Sequence, residues 1–157
     1  MRMIPQRKYP RLKDKSLYNI PGMVAHITIG TENKTNIFCN DKLSSLFKKV
    51  LIRLASEKSF PIHAYCIMPD HIHLLLESTD EYGIIDFVKI LKGNFAAECR
   101  RCGIKVSGLQ RSFYDHLVRK NEDLLTIAKY ILNNPVRKGI VRDYKDYHFC
   151  GSLVYDL

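Results

Sequence analysis

Several features of exported and membrane-bound proteins are missing from this sequence of 157 residues. It contains no apolar run of the roughly 18 residues that a membrane-spanning helix needs. Its basic first segment, residues 1–15, is not followed by the hydrophobic stretch of a secretion signal. Its five cysteines are an odd number, which does not fit the paired cysteines of a disulfide framework. We therefore expect a soluble, cytoplasmic protein with reduced thiols and no membrane partner.

Acidic residues are scarce relative to basic ones. The 25 Lys and Arg residues exceed the 16 Asp and Glu residues, which gives a formal net charge of +9. Because 46% of the residues are hydrophobic, the chain can bury a core, and disorder of the whole chain is excluded. Its length fits a single compact domain. Surplus positive charge attracts phosphate groups, so nucleic acid is the leading class of partner.

The spacing of apolar residues divides the chain into an arm and one domain. Residues 1–20 combine Arg, Lys and Pro without a helix or strand period, and we predict a basic N-terminal arm there. Residues 21–157 alternate between strand-like and helix-like spacing in the order β-α-β-β-α-β-α. The two central strands are joined by Pro69 and Asp70, a turn pair that predicts an antiparallel hairpin.

This element order is typical of the α+β class. It predicts a ferredoxin-like, or split βαβ, antiparallel sheet with helices packed on one face, which leaves the other face free for ligands. The last helix is expected to open at Asn121, with Glu122 and Asp123 in its first turn. It is expected to end at Pro135, and the chain after it, residues 140–157, can return to the sheet.

Two histidines fall on one face of the second hairpin strand. Successive side chains of a strand alternate between its faces, so His71 and His73 point the same way, about 7 Å apart along the strand. Ile72 and Leu74 belong to the opposite, core-facing set, which leaves the imidazoles on the free face. Two neutral imidazoles so placed can share one divalent metal ion. The alternative is that they are half-exposed strand histidines without a ligand.

Tyr130 lies at the polar margin of the last predicted helix. At about 100° per residue, Ile127, Ala128 and Ile131 centre the buried stripe of that helix. Tyr130 falls outside the stripe, beside Thr126. An accessible phenol can act as a covalent nucleophile when a neighbouring metal ion polarises the electrophile. The alternative is a structural tyrosine at the rim, with its ring half buried and its hydroxyl in water.

Asn134 follows Tyr130 by four residues, one helical turn later. Its amide oxygen can therefore approach the same metal ion as a third ligand. The residue before a proline is disfavoured in helical geometry, so Asn134 ahead of Pro135 also has the pattern of a helix C-terminal cap. The sequence leaves both roles open.

Two more histidines can reach the same sheet face. His26 lies on the first predicted strand and His116 on the fourth, where either can touch nucleic acid or support the metal ligands. The alternative for each is a structural histidine whose polar atoms are satisfied within the fold.

Two segments of the sequence resemble the signature segments of the single-tyrosine HUH transposases, in particular the REP-associated tyrosine transposase branch. They are residues 68–76, which contain the two hairpin histidines, and residues 130–141, which begin with the tyrosine. The resemblance covers roughly residues 20–155, and Pro21-Gly22 and residues 113–119 also fit it.

The resemblance implies a DNA-processing enzyme. It implies that His71 and His73 bind a divalent metal ion, Mg²⁺ or Mn²⁺, that grips the scissile phosphate of single-stranded DNA, and that Tyr130 attacks this phosphate. A covalent 5′-phosphotyrosine and a free 3′-hydroxyl result, and the bond energy is kept for strand transfer. The family pattern also has an amide metal ligand one turn after the tyrosine, which Asn134 matches. A hairpin in the DNA is expected from the resemblance alone.

Basic residues near these segments can contact DNA phosphates. Five are predicted to do so because they lie off the apolar stripe of the second helix or near the tyrosine segment: Lys89, Lys92, Arg119, Arg137 and Lys138. The alternative for each is a place on a solvated basic surface.

Two other functions stay open from the sequence. The first is a single-stranded nucleic-acid-binding module, because a four-stranded antiparallel sheet backed by helices also binds RNA through aromatic residues on its central strands. Here His71 and His73 occupy that face, although His63 and Tyr65 lie on the neighbouring strand. The second is a domesticated relative that keeps the fold and DNA affinity without transposition. The sequence also leaves open whether two chains pair as a homodimer.

Overall fold

The computed structural model describes residues 15–105, 108–119 and 122–157. Its strands within these ranges are β1 (Val24–Gly30), β2 (Ile62–Met68), β3 (His71–Glu77), β4 (Tyr114–Leu117) and β5 (Cys150–Gly151). Its α-helices there are α1 (Asp41–Glu57), α2 (Ile84–Arg101), α3 (Leu124–Leu132) and α4 (Asn134–Arg137). No helix in this described part of the chain is both long and apolar enough to cross a membrane.

The strands form one antiparallel sheet in the order β4-β1-β3-β2-β5. The first four follow the strand order of a ferredoxin-like sheet, so the predicted α+β class is confirmed. Strands β2 and β3 form the predicted hairpin, in which Met68 pairs with His71. The additional strand β5 comes from the returning tail, whose Cys150 pairs with Cys66 of β2.

Helices α1 and α2 cover one face of the sheet because each carries an apolar stripe at helical spacing. Asn40 caps the start of α1, since its side chain accepts a 2.9 Å hydrogen bond from the backbone N–H of Lys42. Phe87 of α2 is fully buried and stacks on Phe60 with the ring centroids 4.0 Å apart. Ile72 of β3 is buried in the same core, which fixes the face that its two histidine neighbours occupy.

The second sheet face is only partly open, which differs from the expectation of a free face. Helix α3 packs on it through Ala128 and Ile131, which share a buried cluster with Ala64, Met68 and Leu75. Because α3 is amphipathic, exposure of its apolar stripe to water is unfavourable, and the adjacent sheet face offers a place to bury it. The uncovered remainder of this face surrounds the two histidines of β3.

The folded domain begins earlier than the boundary predicted at residue 21. The segment Lys15–Asn19 forms a 3-10 turn in which Tyr18 is fully buried. The Tyr18 hydroxyl donates a hydrogen bond to the carboxylate of Asp115 on β4. No local period surrounds Tyr18, so its place in the domain becomes visible only through long-range contacts, this hydrogen bond and packing in the main hydrophobic core. Residues 1–14 of the predicted arm lie outside the described residues.

Helix α3 begins at Leu124, later than predicted. Asp123 is its N-cap, and the Asp123 carboxylate accepts a 3.0 Å hydrogen bond from the backbone N–H of Leu125. The expectation that Glu122 lies in the first turn is therefore wrong, because the capping carboxylate starts the helix two residues later. Asn121, the predicted first residue, lies outside the described residues.

The helical segment also continues beyond the predicted stop at Pro135. Helix α3 ends at Leu132, and α4 starts at Asn134 with Pro135 buried in its first turn. A proline is tolerated there because the first turn of a helix leaves its N–H groups without intrahelical partners. Gly139, with φ at +73°, follows α4 in a left-handed conformation that glycine adopts without strain.

Candidate active site

A cavity of about 380 Å³ opens on the uncovered part of the second sheet face. Strands β1 and β3 supply one wall, and helices α3 and α4 supply another. Four predicted site residues and one predicted DNA-contact residue line it: His71, His73, Tyr130, Asn134 and Lys138. A single chain therefore brings together side chains that lie far apart in the sequence.

The histidine pair, His71 and His73, converges at its outer nitrogens. The two Nε2 atoms are 3.1 Å apart, and the rings meet edge to face with centroids separated by 4.7 Å. Two nitrogens that bind one metal ion at about 2.1 Å and at right angles lie about 3.0 Å apart, so the pair has the separation of a shared ion. Within the described ranges no cluster of three or more His, Cys, Asp or Glu residues can hold a metal. A third ligand drawn from these described residues would therefore be of another type.

Polar neighbours hold the inner nitrogens of the same rings. The Nδ1 atom of His71 lies 2.6 Å from a carboxylate oxygen of Asp70. The Nδ1 atom of His73 lies 3.2 Å from Thr28 Oγ1 and 3.0 Å from His26 Nε2, both on β1. An inner N–H donated to these acceptors leaves each outer nitrogen with a lone pair. Such contacts orient metal-binding imidazoles in general.

Burial keeps two of these imidazoles neutral at neutral pH. The pKa of His73 lies well below its usual value, mainly because the ring is removed from water. Smaller contributions come from electrostatic interactions with His26, His71 and Arg137. The pKa of His26 is lowered to about 4, again mainly by burial and then by His116. Neutral imidazole is the form that binds metal ions, so this environment favours ligation.

His26 and His116, the two further histidines, also line the cavity. The Nε2 atom of His26 contacts Nδ1 of His73, the nitrogen that faces away from the proposed metal position. His116 lies on β4 with its Nε2 atom 3.4 Å from a carboxylate oxygen of Glu122. His26 and His116 are paired across β1 and β4 in the register of the sheet. The same face of three adjacent strands therefore carries histidines.

Tyr130 lies at the edge of the cavity on the polar margin of α3. Its side chain is half-buried, whereas the neighbouring Ala128 and Ile131 are fully buried in the core. The guanidinium carbon of Arg137 lies 3.8 Å from the centroid of the Tyr130 ring. Tyr130 is therefore part of the cavity wall, beside a cation and opposite the strands.

The C-terminal cap of α3 is Asn133, and not Asn134. The Asn133 side chain donates through Nδ2 to the Lys129 carbonyl oxygen at 2.8 Å. Asn134 is the first residue of α4 and donates through Nδ2 to the Ile131 carbonyl oxygen at 2.8 Å. Because Nδ2 is used in this way, Oδ1 is the Asn134 atom available to accept from or ligate a partner. Its role as a metal ligand stays a prediction.

The predicted DNA-contact residues do not all surround the cavity. Lys138 lines it, and Arg137 covers the tyrosine that lines it. Arg119 is exposed just after β4. Lys89 and Lys92 belong to α2, which packs on the opposite sheet face. If all five residues contact DNA, the DNA must therefore reach two basic regions on different faces of the protein.

Lys92 is engaged within the fold. Its ammonium group donates to the backbone carbonyls of Gln110, Arg111 and Ser112 at 2.7, 3.1 and 3.4 Å. It also lies 5.7 Å from the centroid of the Phe113 ring. Lys92 thus ties α2 to the loop that leads into β4, and the predicted phosphate contact would have to displace these bonds.

Several cavity residues were not predicted from the sequence, among them Lys34 and Gln110, which lie outside the α-helices and strands. Lys34 lines the cavity from a turn after β1, where its backbone has a φ of +53°. Gln110 reaches the wall from the loop before β4, where a Cβ on Gly30 would come within 2.9 Å of its Oε1 atom. Gln110 belongs to no helix or strand and Lys34 ends a short 3-10 turn, so no period marks either residue. Only the tertiary path of the two loops brings them to the cavity.

The chain matches a known protein family over most of its length. The family described as "Transposase IS200 like" matches residues 19–134, which include the histidine pair and the tyrosine. The chain belongs to this family of transposases. It is therefore an enzyme that acts on DNA, and the family expected from the two sequence segments is confirmed.

Individual relatives of this IS200-like transposase agree with that assignment. A Haemophilus influenzae relative, assigned to the REP-associated tyrosine transposases, is 33% identical over 141 residues, covering 82% of this chain and 78% of the relative. The Escherichia coli K12 REP-associated tyrosine transposase is 26% identical over 135 residues, covering 84% of this chain and 78% of the relative. The branch of the transposase family expected from the sequence is thus also confirmed.

A solved structure shares the fold of this transposase. It is that of a REP-associated tyrosine transposase bound to a REP hairpin, with a TM-score of 0.70 and 23% identity. The likeness covers 92% of this chain and 81% of the solved one. It agrees with the α+β architecture of an antiparallel sheet with packed helices.

Proposed function

We propose that this transposase cuts and rejoins single-stranded DNA through a covalent bond between Tyr130 and a 5′-phosphate, with a divalent metal ion held by His71 and His73. One observation carries the proposal: a single cavity contains the tyrosine and both imidazoles. A phenol, a pair of metal-binding nitrogens and open space between them are the parts that such a reaction needs.

The histidine pair fits a divalent ion on chemical grounds. The partners of the inner nitrogens favour tautomers whose outer lone pairs face each other across 3.1 Å. Facing lone pairs repel, and a cation between them removes that repulsion. We propose Mn²⁺ or Mg²⁺, with Asn134 as third ligand, because this donor set leaves coordination positions for water and phosphate oxygens. When bound, the ion neutralises charge on the non-bridging phosphate oxygens.

The proposed chemistry transfers a phosphoryl group to Tyr130. The phenolic oxygen forms a bond to phosphorus while the bond from phosphorus to the 3′-oxygen breaks. The phenol loses its proton, and the departing 3′-oxygen gains one to give a free 3′-hydroxyl. Attack by another 3′-hydroxyl reverses these steps, releases the tyrosine and joins two strands. The phosphodiester energy is conserved in the covalent intermediate, as strand transfer requires.

We propose hairpin-containing single-stranded DNA as the substrate. The solved relative that shares the fold is bound to a REP hairpin. The net charge of this chain is +9, which favours a polyanion. Lys34 and Lys138 line the cavity, where ammonium groups can bind the phosphates on either side of the cleavage point.

Covalent capture tests the proposed function. Labelled hairpin-containing DNA is incubated with the protein and Mn²⁺, and the products are separated on a denaturing gel. We expect a protein–DNA adduct that EDTA prevents and that Tyr130→Phe abolishes. Tyr144→Phe is the matched control, because Tyr144 is not among the residues that line the cavity.

The same assay distinguishes the competing functions. His71→Ala is expected to abolish cleavage with a smaller loss of DNA binding, since it removes a metal ligand and leaves the basic surface. A binding module would retain DNA affinity without metal and form no adduct. An adduct without strand joining would indicate a domesticated relative. If Tyr130→Phe forms the adduct at the parent rate, Tyr130 is not the nucleophile.

A further inference from the structure

Arg137 makes two contacts to Tyr130. Its guanidinium carbon lies 3.8 Å from the centroid of the Tyr130 ring. Its Nη2 atom donates a 2.8 Å hydrogen bond to the backbone carbonyl oxygen of the same residue. One side chain therefore holds both the main chain and the ring of Tyr130, whereas its charge alone predicts only a contact to DNA phosphate.

The end of α3 explains why an arginine occupies this place. The last four carbonyl groups of a helix have no partner within the helix. The Lys129 carbonyl accepts the backbone N–H of Asn133 at 3.1 Å. Side chains from the segment that follows α3 bond the next two carbonyls, each at 2.8 Å: Arg137 bonds that of Tyr130 and Asn134 that of Ile131. A positive charge is also favoured at the negative end of the helix dipole.

The break between α3 and α4 sets the reach of the arginine. The backbone N–H of Arg137 donates to the Asn133 carbonyl oxygen at 2.9 Å, so Arg137 sits on the turn that follows the break. Helical side chains point back toward the N-terminus, and the long arginine side chain can therefore return over residues of α3. Its flat guanidinium covers one face of the Tyr130 ring, as cation–π contacts require.

We propose that Arg137 is a positioning residue for Tyr130, holding the ring at the cavity wall in the orientation that phosphoryl transfer uses. This inference rests on the proposed function. Because Tyr130 lies in α3, where one of the three staggered χ1 wells is rarely populated, a ring without its clamp spends about half of its time in the productive well. Loss of the clamp should therefore slow adduct formation from bound DNA by about two- to tenfold, because misorientation also disturbs alignment with phosphorus.

A positioning role and a phosphate contact affect different quantities. Positioning changes the rate of adduct formation at saturating DNA and leaves the dissociation constant of DNA nearly unchanged. A phosphate contact changes the dissociation constant and its salt dependence, and leaves the rate from the bound complex unchanged. The two roles can therefore be separated in one set of variants.

The kinetic test compares Arg137→Ala, Arg137→Lys and the control Arg142→Ala. Arg142 is exposed and lies five residues further along the chain, so its replacement removes the same charge. We expect Arg137→Lys to bind DNA like the parent and to form the adduct several-fold more slowly, since it keeps the charge but lacks the flat group. Arg142→Ala is expected to keep the parent rate at saturating DNA.

A spectroscopic test needs neither metal nor DNA. The parent and each variant carry 3-fluorotyrosine at position 130, and the fluorine resonance of the metal-free protein is recorded. We expect Arg137→Ala and Arg137→Lys to shift or broaden the resonance, because the stacked guanidinium is lost. Arg142→Ala should leave it unchanged. Thermal unfolding of each variant confirms that the fluorine signal comes from folded protein.

Two results would overturn the inference. The first is an Arg137→Ala fluorine resonance identical to that of the parent. The second is weaker DNA binding by Arg137→Ala and Arg137→Lys with the parent rate at saturating DNA, which would make Arg137 a phosphate contact. If the parent itself forms no adduct, the proposed function fails, while the fluorine experiment still decides whether Arg137 holds the ring.

Discussion

Replacement of Asp70 by Asn is expected to weaken metal binding while both imidazoles stay in place. The Asp70 carboxylate lies 2.6 Å from Nδ1 of His71 and orients that ring. An asparagine oxygen still accepts the hydrogen bond, so the ring keeps its tautomer. It carries no negative charge, however, and the outer nitrogen of His71 becomes a weaker donor to a cation.

The structure sets the expected size of this effect. Outer partners of metal-binding histidines usually contribute 10- to 100-fold to affinity, and we expect about tenfold for Asp70→Asn. The lower end applies because the His71 and Asp70 side chains are 24% and 35% exposed, so water screens their interaction. A tenfold loss corresponds to about 1.4 kcal/mol of binding free energy.

Mn²⁺ titration of the DNA-free protein, followed by electron paramagnetic resonance of the free ion, measures this affinity directly. Asp156→Asn, an exposed carboxylate near the end of the chain, is the matched control. His71→Ala removes a proposed ligand outright, so its loss of Mn²⁺ affinity is the reference with which the loss for Asp70→Asn is compared. A loss below about twofold for Asp70→Asn, or an equal loss for Asp156→Asn, would refute the role given to Asp70.

Two further predictions concern the core and the DNA contact. Phe87→Ala should lower the free energy of unfolding by about 3–5 kcal/mol, because the ring is fully buried and stacked on Phe60. Urea unfolding followed by circular dichroism checks this, and a change below about 1 kcal/mol would contradict the packing described. Lys138→Ala should reduce the slope of log DNA affinity against log salt by about 0.7, the value for one single-strand phosphate. Anisotropy titrations at several salt concentrations measure the slope, and an unchanged slope would show that Lys138 contacts no phosphate.

The hairpin histidines show what local spacing can predict. A period of two on β3 assigns Ile72 to the core and His71 and His73 to the other face, and the structure has this arrangement. The helical stripe of α3 likewise separates Ala128 and Ile131 from the cavity. These predictions succeed because burial of one face is decided within a single element.

Contacts between distant segments could not be predicted in this way. Tyr18 is buried in the main hydrophobic core and bonds Asp115 on β4, and the pattern around Tyr18 contains no sign of these partners. Helix α3 covers part of the second sheet face because it too must bury an apolar stripe. The order of helices and strands in the sequence does not show on which face α3 packs. The histidine contact between His26 and His73 depends on β1 lying beside β3.

The capping residues at the end of α3 show a finer limit. Asn133 and Asn134 are identical in type and adjacent, and the proline that follows the second makes Asn134 a candidate cap as well as a candidate ligand. The structure assigns the cap to Asn133 because the chain restarts a helix at Asn134, with Pro135 in a position that tolerates it. Arg137 also serves the end of α3, a role that its charge does not indicate.

The identity of the DNA-linked residue can be measured directly by peptide mass spectrometry. Trypsin cuts after Lys129 and Arg137, which releases a peptide of residues 130–137 whose only tyrosine is Tyr130. After the adduct is digested with nuclease and trypsin, we expect a nucleotide mass on this peptide, or on residues 121–137 where the cut beside the modified tyrosine is blocked. A nucleotide on any peptide that lacks Tyr130 would contradict the central claim.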